Sequence, residues 1–284
     1  MNVPMADEAL RPVSRARRAG GRRLPGPLDR SLVTVGDLTT LSWETLRYLI
    51  KDLARGQFPW GEFVLQAWFV VSVSLLPALL VAIPFGIIVA INVGSLAAQV
   101  GATSFVGAVN GLGVIREGAP VVTALLLAGA AGSAMCSDLG ARNIREELDA
   151  MRVMGVSPVR RLVVPRVAAL VVVGVLLCAL VAMTGVIAGF LFNVYVQHGT
   201  AGAYLNSLTA FATPGDFVVA EIKSAVFGFL AAIVAAHKGL NAKGGPKGVA
   251  EAVNQSVVLT FLLLFSMNIV LTQAYLLIAP PQVV

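Results

Sequence analysis

Glu117 and Lys223 are the residues in this 284-residue chain whose type and setting most need a chemical explanation. Each stands in or beside a stretch apolar enough to cross a membrane, and no Asp, Glu, Lys or Arg occurs between Glu62 and Arg116 or between Arg166 and Asp216. An ionisable group inside a bilayer is costly unless it pairs or faces water, so each is by default a candidate for function. Glu117 opens one apolar stretch and Lys223 lies about two turns into another. If the two helices run in the same direction, the two groups share a depth and can pair. The plainer readings are an interfacial acid favouring a helix N-terminus for Glu117 and snorkelling to the surface for Lys223. Glu221, two residues from Lys223, falls on another helix face.

Catalytic chemistry finds no purchase elsewhere. There is no Gly-x-x-x-x-Gly-Lys-Ser/Thr phosphate loop and no nucleophile with a neighbouring histidine and acid. The glycine-rich 239–248 segment has lysines without phosphate-loop spacing and reads as a turn. Cys136 and Cys178 fall at different depths, so no disulfide is expected, and with His198 and His237 far apart they suggest no metal site. Any uphill transport then needs an ion gradient or a partner subunit for its energy.

A third feature is a charged island. Asp138 to Arg166 carries ten of the chain's charges within 29 residues. Inside it Ile144, Leu148, Met151 and Met154 recur at spacings of four, three and three, which predicts one apolar helix face. Arg145 precedes Asp149 by four residues and Asp149 precedes Arg152 by three, pairs worth about 0.2–0.5 kcal/mol each on an exposed helix. Gly155 predicts a left-handed stop, and Ser157 with Pro158 a cap and first turn for the next helix. The expected product is an amphipathic helix over about 142–155, held between two spans. The alternative is a solvated charged loop that only fixes orientation.

The elements that must position these groups are membrane helices. The chain is 57% apolar and only 13% charged, with mean hydropathy +0.83, far from the roughly one-quarter charged residues of globular domains. Segments long enough to span, about 20 apolar residues each, are expected at 63–91, 118–138, 162–192, 216–237 and 254–279. Pro77 and Pro84 predict a bend in the first. The second is rich in small residues between Ala128 and Ala134, which predicts close packing. Gly185 and Gly189 in the third form a pattern common by chance. Lys and Arg gather in the N-terminal region, in Arg142–Arg166 and in His237–Lys247, while 92–115 and 193–215 contain neither. Five spans with the N-terminus inside place every basic segment in the cytoplasm and the C-terminus outside. The net charge of +6 is then a topological signal and not a nucleic-acid patch. Residues 1–32 read as a disordered basic cytoplasmic tail. Residues 33–58, with Asp37 as cap and Gly56 as stop, read as an amphipathic helix in the membrane interface. The fold class is therefore an all-α polytopic membrane protein.

Four stretches together resemble the MlaE/YrbE family of permeases, the membrane subunits of ABC transporters that work with mammalian-cell-entry (MCE) proteins. They are REGAPVVTALLLAGAAGSA from Arg116, DLGARNIREELDAMRVMGVSPVRRLVVPR from Asp138, EIKSAVFG from Glu221 and KGLNAKGGPKGVAEAVNQSVV from Lys238. The last, with ARNIREELDAM, resembles the actinobacterial YrbE branch. The resemblance runs from about Asp37 to the C-terminus. It implies a permease domain over 59–284 that binds no cofactor itself and uses ATP through a separate cytoplasmic ATPase. It also implies a second YrbE-type permease subunit, as homo- or heterodimer, extracytoplasmic MCE proteins and a hydrophobic lipid substrate such as a fatty acid, mycolate-type lipid, sterol or phospholipid. By motif, the ATPase-coupling helix is Ile144 to Met154, with Ile144, Glu146, Glu147, Leu148, Asp149, Met151, Arg152 and Met154 as its residues, and Glu117 and Lys223 lie near the lipid pathway. One departure is Ala130, where many relatives carry an arginine.

Two other classes remain open on the residues alone. An ion-coupled secondary transporter would use Glu117 and Lys223 as its coupling pair, and a non-transporting scaffold would recruit partners through the amphipathic helix.

Overall fold

The computed structural model describes residues 27–278, with side chains for all of these except 27–33, 103 and 278. Every regular element among them is helical. After a 3-10 turn at Thr103–Phe105 is set aside, they are in chain order α1 (Pro27–Ala54), α2 (Trp60–Gln99), α3 (Val106–Ile144), α4 (Glu147–Val153), α5 (Val159–Tyr195), α6 (Ala201–Phe211), α7 (Pro214–Leu240) and α8 (Gly245–Ile278). Five of these, α2, α3, α5, α7 and α8, are long and apolar enough to cross a membrane.

The spans are longer than the sequence suggests. The largest difference is in α3, which starts at Val106 and not at 118. Glycines make 106–115 look like a loop, but they are there for close packing. A Cβ on Gly107 would overlap the Tyr204 carbonyl, and one on Gly111 would overlap Leu208. Glu117 therefore sits inside a continuous helix and not at its N-terminus. The segment 193–215, expected as a loop, contains α6, which lies along this first part of α3. Asn110 Nδ2 donates to the Tyr204 hydroxyl at 2.8 Å, with both residues buried. Burial, only partly offset by the Asn110 hydrogen bond, pushes the Tyr204 phenol up to about 12.

α1 also differs from expectation. It begins at Pro27, a residue suited to the first helical turn, so Asp37 lies ten residues inside it and caps nothing. The part of the expected N-terminal tail up to residue 26 lies outside the described residues, and the rest belongs to this helix. Gly56 does end it, at φ +63°. Its buried side carries Leu41, Thr45 and Asp52, and its exposed side Trp43, Leu46, Ile50 and Leu53.

Glycine contacts close the bundle. A Cβ on Gly86 of α2 would overlap the backbone of Gly185 on α5, and Gly189 faces Asn110 and the Gly86 carbonyl. The Gly185/Gly189 pattern is thus the seam between α2 and α5. The small-residue run of α3 packs within the subunit, with Gly132 against Ala231 and Ala235 of α7, as close helix approach in lipid requires. Cys136 and Cys178 are buried free thiols, and Cys178 Sγ donates to the Ala220 carbonyl at 3.8 Å.

One end of the bundle is charged and firmly tied. Arg166 Nη2 donates to Asp138 Oδ2 at 2.6 Å and Nη1 to the Leu162 carbonyl at 2.9 Å, joining α5 to α3. Asn143 Nδ2 donates to the Ala242 carbonyl at 2.8 Å, joining α3 to the short turn between α7 and α8. The opposite end carries α6.

Candidate functional site

Glu117 lies on a wide helical turn. Residues Gly113–Gly118 of α3 form a π-helical turn, a local expansion often found at functional positions. The carboxylate faces α7 and α8, while Gly118 lets Phe85 of α2 pack against the other side of the turn. Lys223 comes from α7, where Ala220, Ser224, Phe227 and Gly228 form the buried side of the helix.

The two groups are paired. Lys223 Nζ donates to Glu117 Oε1 at 3.0 Å, to Thr272 Oγ1 of α8 at 2.8 Å and to the Arg116 carbonyl at 3.3 Å. An ammonium with three donors is thereby fully used. Glu117 also accepts from Asn268 Nδ2 at 3.3 Å, and the Thr272 hydroxyl is 3.3 Å from both carboxylate oxygens. The Lys223 side chain is 1% exposed and that of Glu117 39%.

A second polar layer lies beside the first, at the start of α7. Asp216 accepts from the Thr213 backbone N–H at 3.1 Å and from its hydroxyl at 2.8 Å, a capping arrangement that starts the helix. The Tyr275 hydroxyl donates to Asp216 at 3.2 Å, and Arg116 Nη1 lies 3.9 Å from it. The Arg116 guanidinium stands 4.6 Å over the Tyr275 ring, within cation–π range. Arg116, Glu117, Asp216 and Lys223 thus form a cluster of two cations and two anions, with zero net charge, that ties α3, α7 and α8 together. Paired charges are the form in which ionisable groups are tolerated away from water. Glu221 stays outside it, and its carboxylate oxygens are enclosed without a hydrogen-bond partner among the described residues. Sequence reasoning missed Arg116, Asp216, Asn268, Thr272 and Tyr275. The last three fall at i, i+4 and i+7 on α8, one stripe of a helix, and that spacing was the available signal. Among the described residues no group of three His, Cys, Asp or Glu is placed to hold a metal ion.

The charged island folds differently from its expected single helix. Ile144 is the last residue of α3, and Glu146 takes a left-handed conformation at φ +59° between α3 and α4. The remaining helix is the seven-residue α4, Glu147–Val153. The break changes the charge pairs. Arg145 Nε donates to Glu147 at 2.7 Å and not to Asp149, because the helical spacing between 145 and 149 is lost, while Arg152 does pair with Asp149 at 2.7 Å. The apolar face is split as well. Leu148 is completely buried and Met151 partly so, whereas Val153 is 89% exposed and Met154 70%. Gly155 ends the segment at φ +75°, and Ser157 Oγ accepts from the Arg160 N–H at 3.4 Å. α4 is thus a short helix anchored by Leu148 and Met151, presenting Asp149, Arg152, Val153 and Met154 outward.

Comparison with known proteins meets this geometry from the sequence side. The family described as Permease MlaE matches residues 63–274. A probable ABC transporter permease protein of Synechocystis sp. is 34% identical over 199 residues, 70% of this chain and 76% of that protein. One of Rickettsia felis is 30% identical over 174 residues, 61% of this chain and 67% of its own. The chloroplastic protein TRIGALACTOSYLDIACYLGLYCEROL 1 of Arabidopsis thaliana is 30% identical over 177 residues, 62% of this chain and 51% of its own. The family match takes in Glu117, Lys223, α4 and most of each of the five long helices, and the chain belongs to the MlaE family of permeases.

Proposed function

We propose that the protein is the membrane subunit of an ABC transporter that moves a hydrophobic lipid, with ATP hydrolysis carried out by a separate ATPase docked on α4. The observation that carries this reading is α4 itself. It is a short helix between two spans, with charged and apolar side chains turned outward, in a chain without a phosphate loop. Docking at α4 requires that end of the bundle to be cytoplasmic, which agrees with the distribution of Lys and Arg. α1 then lies in the cytoplasmic interface of the cell membrane, its Trp43, Leu46 and Ile50 toward lipid, and the C-terminus is extracytoplasmic. Closure of the ATPase would displace α4 and shift the packed spans between access states.

A lipid substrate is supported by the name of the Arabidopsis relative, which contains a diacylglycerol glycolipid, and by the extent of apolar surface on the spans. Glu117 and Lys223, joined to α8 through Thr272, are assigned to the lipid pathway. The exposed stripe Val258, Leu262, Phe265 and Ile269 on α8, with Ser266 and Gln273 beside it, is assigned to a second YrbE-type permease subunit. Polar side chains on a face bathed only in hydrocarbon would be penalised. MCE proteins are assigned to the end that carries α6.

Charge reversal at Glu147 and Asp149 together is expected to weaken co-purification with the ATPase or to uncouple its hydrolysis from transport. An unchanged complex with unchanged transport would overturn the reading. The Glu117–Lys223 pair is also what an ion-coupled carrier would use, and transport driven by a proton or sodium gradient without any ATPase would favour that alternative.

A further inference from the structure

Asp52 is a carboxylate near the end of α1 with almost no exposure, 2% for its side chain, and its partner comes from far along the chain. Arg160 Nε donates to Asp52 Oδ2 at 2.8 Å and Arg160 Nη2 to Oδ1 at 2.6 Å. Nη2 also lies 3.3 Å from Gln57 Oε1, just past the end of α1. This is a two-pronged guanidinium–carboxylate pair, the geometry that fixes orientation as well as distance. Lysine could not reproduce it.

The two ends of this pair matter because of what each is attached to. Arg160 sits on the π-helical turn Val159–Val163, five residues beyond the Gly155 stop that closes α4. The path between them is itself held, by Gly155 N–H to the Arg152 carbonyl, Val156 N–H to the Met151 carbonyl and Arg161 N–H to the Ser157 carbonyl. On the other side, the end of α1 is locked to the start of α2. Phe58 stacks edge-on with Trp60 at 5.1 Å and Phe63 at 5.7 Å. Gln57 N–H donates to the Asp52 carbonyl at 3.0 Å.

We propose that Asp52 and Arg160 are positioning residues, a clamp that makes α1, the α1–α2 elbow and the α4–α5 corner one rigid unit, so that α1 moves with α4 when α4 is displaced. The role as transmitter rests on the ATPase reading above, whereas the rigid unit does not. Without the clamp, α4 is tied to the bundle by Leu148 and Met151, by Glu147 to Arg142 of α3 at 3.7 Å and by its two chain ends, all at α4 itself, and its displacement relative to α1 would be taken up by the Ser157–Pro158 corner. With it, the same displacement carries a helix whose exposed face holds Trp43, Leu46 and Ile50.

The test uses spin labels at Leu46→Cys on α1 and Val153→Cys on α4, both exposed, in full-length permease in lipid nanodiscs. Cys136 and Cys178 are buried and stay unlabelled. The expected result is one narrow distance distribution, its loss to a broad one in Arg160→Gln, and partial retention in Arg160→Lys, which keeps the charge but not the second prong. Asp52→Asn supplies the same comparison from the α1 side if Arg160→Gln does not fold. An unchanged narrow distribution in the variant that folds overturns the clamp. In the complex with the ATPase that co-purifies from native membranes, trapping with ATP and vanadate should shift the distance from Val153 to a label at Leu205→Cys on α6 and leave that from Val153 to Leu46 unchanged. A shift between Val153 and Leu46 in the unsubstituted clamp also overturns it. Absence of any complex counts against the ATPase reading instead, and the permease-only comparison still decides the clamp.

Discussion

Lys223 and Glu117 are unequal partners. The lysine is enclosed, and apart from Glu117 it has only Thr272 and the Arg116 carbonyl, while the part-exposed carboxylate keeps Asn268, Thr272 and Arg116 Nε at 3.9 Å within reach. Removing one member of a buried pair costs about 3–5 kcal/mol when the other is left uncompensated. Glu117→Leu is therefore expected to lower the thermal midpoint of the detergent-purified permease more than Lys223→Met does, and the double substitution to recover part of the loss. Equal shifts for the two single variants would show that enclosure does not set the cost. Both residues were legible in the sequence because a charge in an apolar run stands out by composition. Asp216, Asn268, Thr272 and Tyr275 did not, because polar residues near span ends are ordinary, and only the rotation of α8 shows which of them turn inward.

At the level of elements, the glycines of α2 and α5 carry a backbone-to-backbone contact between two spans. A methyl group at Gly86 has no space, since its neighbour is the Gly185 backbone and not a movable side chain. Overpacking of this kind costs about 1–3 kcal/mol or more. Gly86→Ala should lower the thermal midpoint and the yield of folded protein, whereas Gly129→Ala, with nothing within 4 Å of the added carbon, should leave both unchanged. Equal behaviour of the two would mean that the α2–α5 seam can open. Element existence was readable for all five spans from hydropathy and from the alternation of Lys and Arg. Their ends were not, because Gly107 and Gly111 look like loop residues until α6 is placed against them. α6 itself has Tyr204, Leu205, Leu208 and Phe211 at helical spacing, a signal outweighed by the glycines and by Pro214 around it. The charged island kept its Gly155 stop, but Glu146 broke its helix, since a single left-handed non-glycine residue leaves no trace in periodicity.

Across the whole molecule, α8 is the least buried of the five long helices, packed along Val249, Ala252, Ser256, Thr260 and Leu264 and open along the opposite side. A cysteine at Leu262 is expected to give a dimer-sized band on oxidation in native membranes, and a monomer band alone would assign that side to lipid. The open side follows from the apolar stripe of α8, but the turn over Asn241–Gly244 that fixes its direction was expected to be longer, because Gly244 and Gly245, both at positive φ, let the chain reverse at once. The π-helical turn at Gly113–Gly118 sets one further relation. Such a turn holds one residue more than an α-helical turn. It therefore acts as a phase setting between the two parts of α3, with Glu117 facing α7 and α8, and Val106–Leu112 packed against α6. Loss of one residue there would leave the helix unbroken and turn one part against the other by about 100°. Asn110 could then meet Tyr204, or Glu117 could meet Lys223, but not both. The length of α3 between Asn110 and Glu117 is for this reason fixed to the residue.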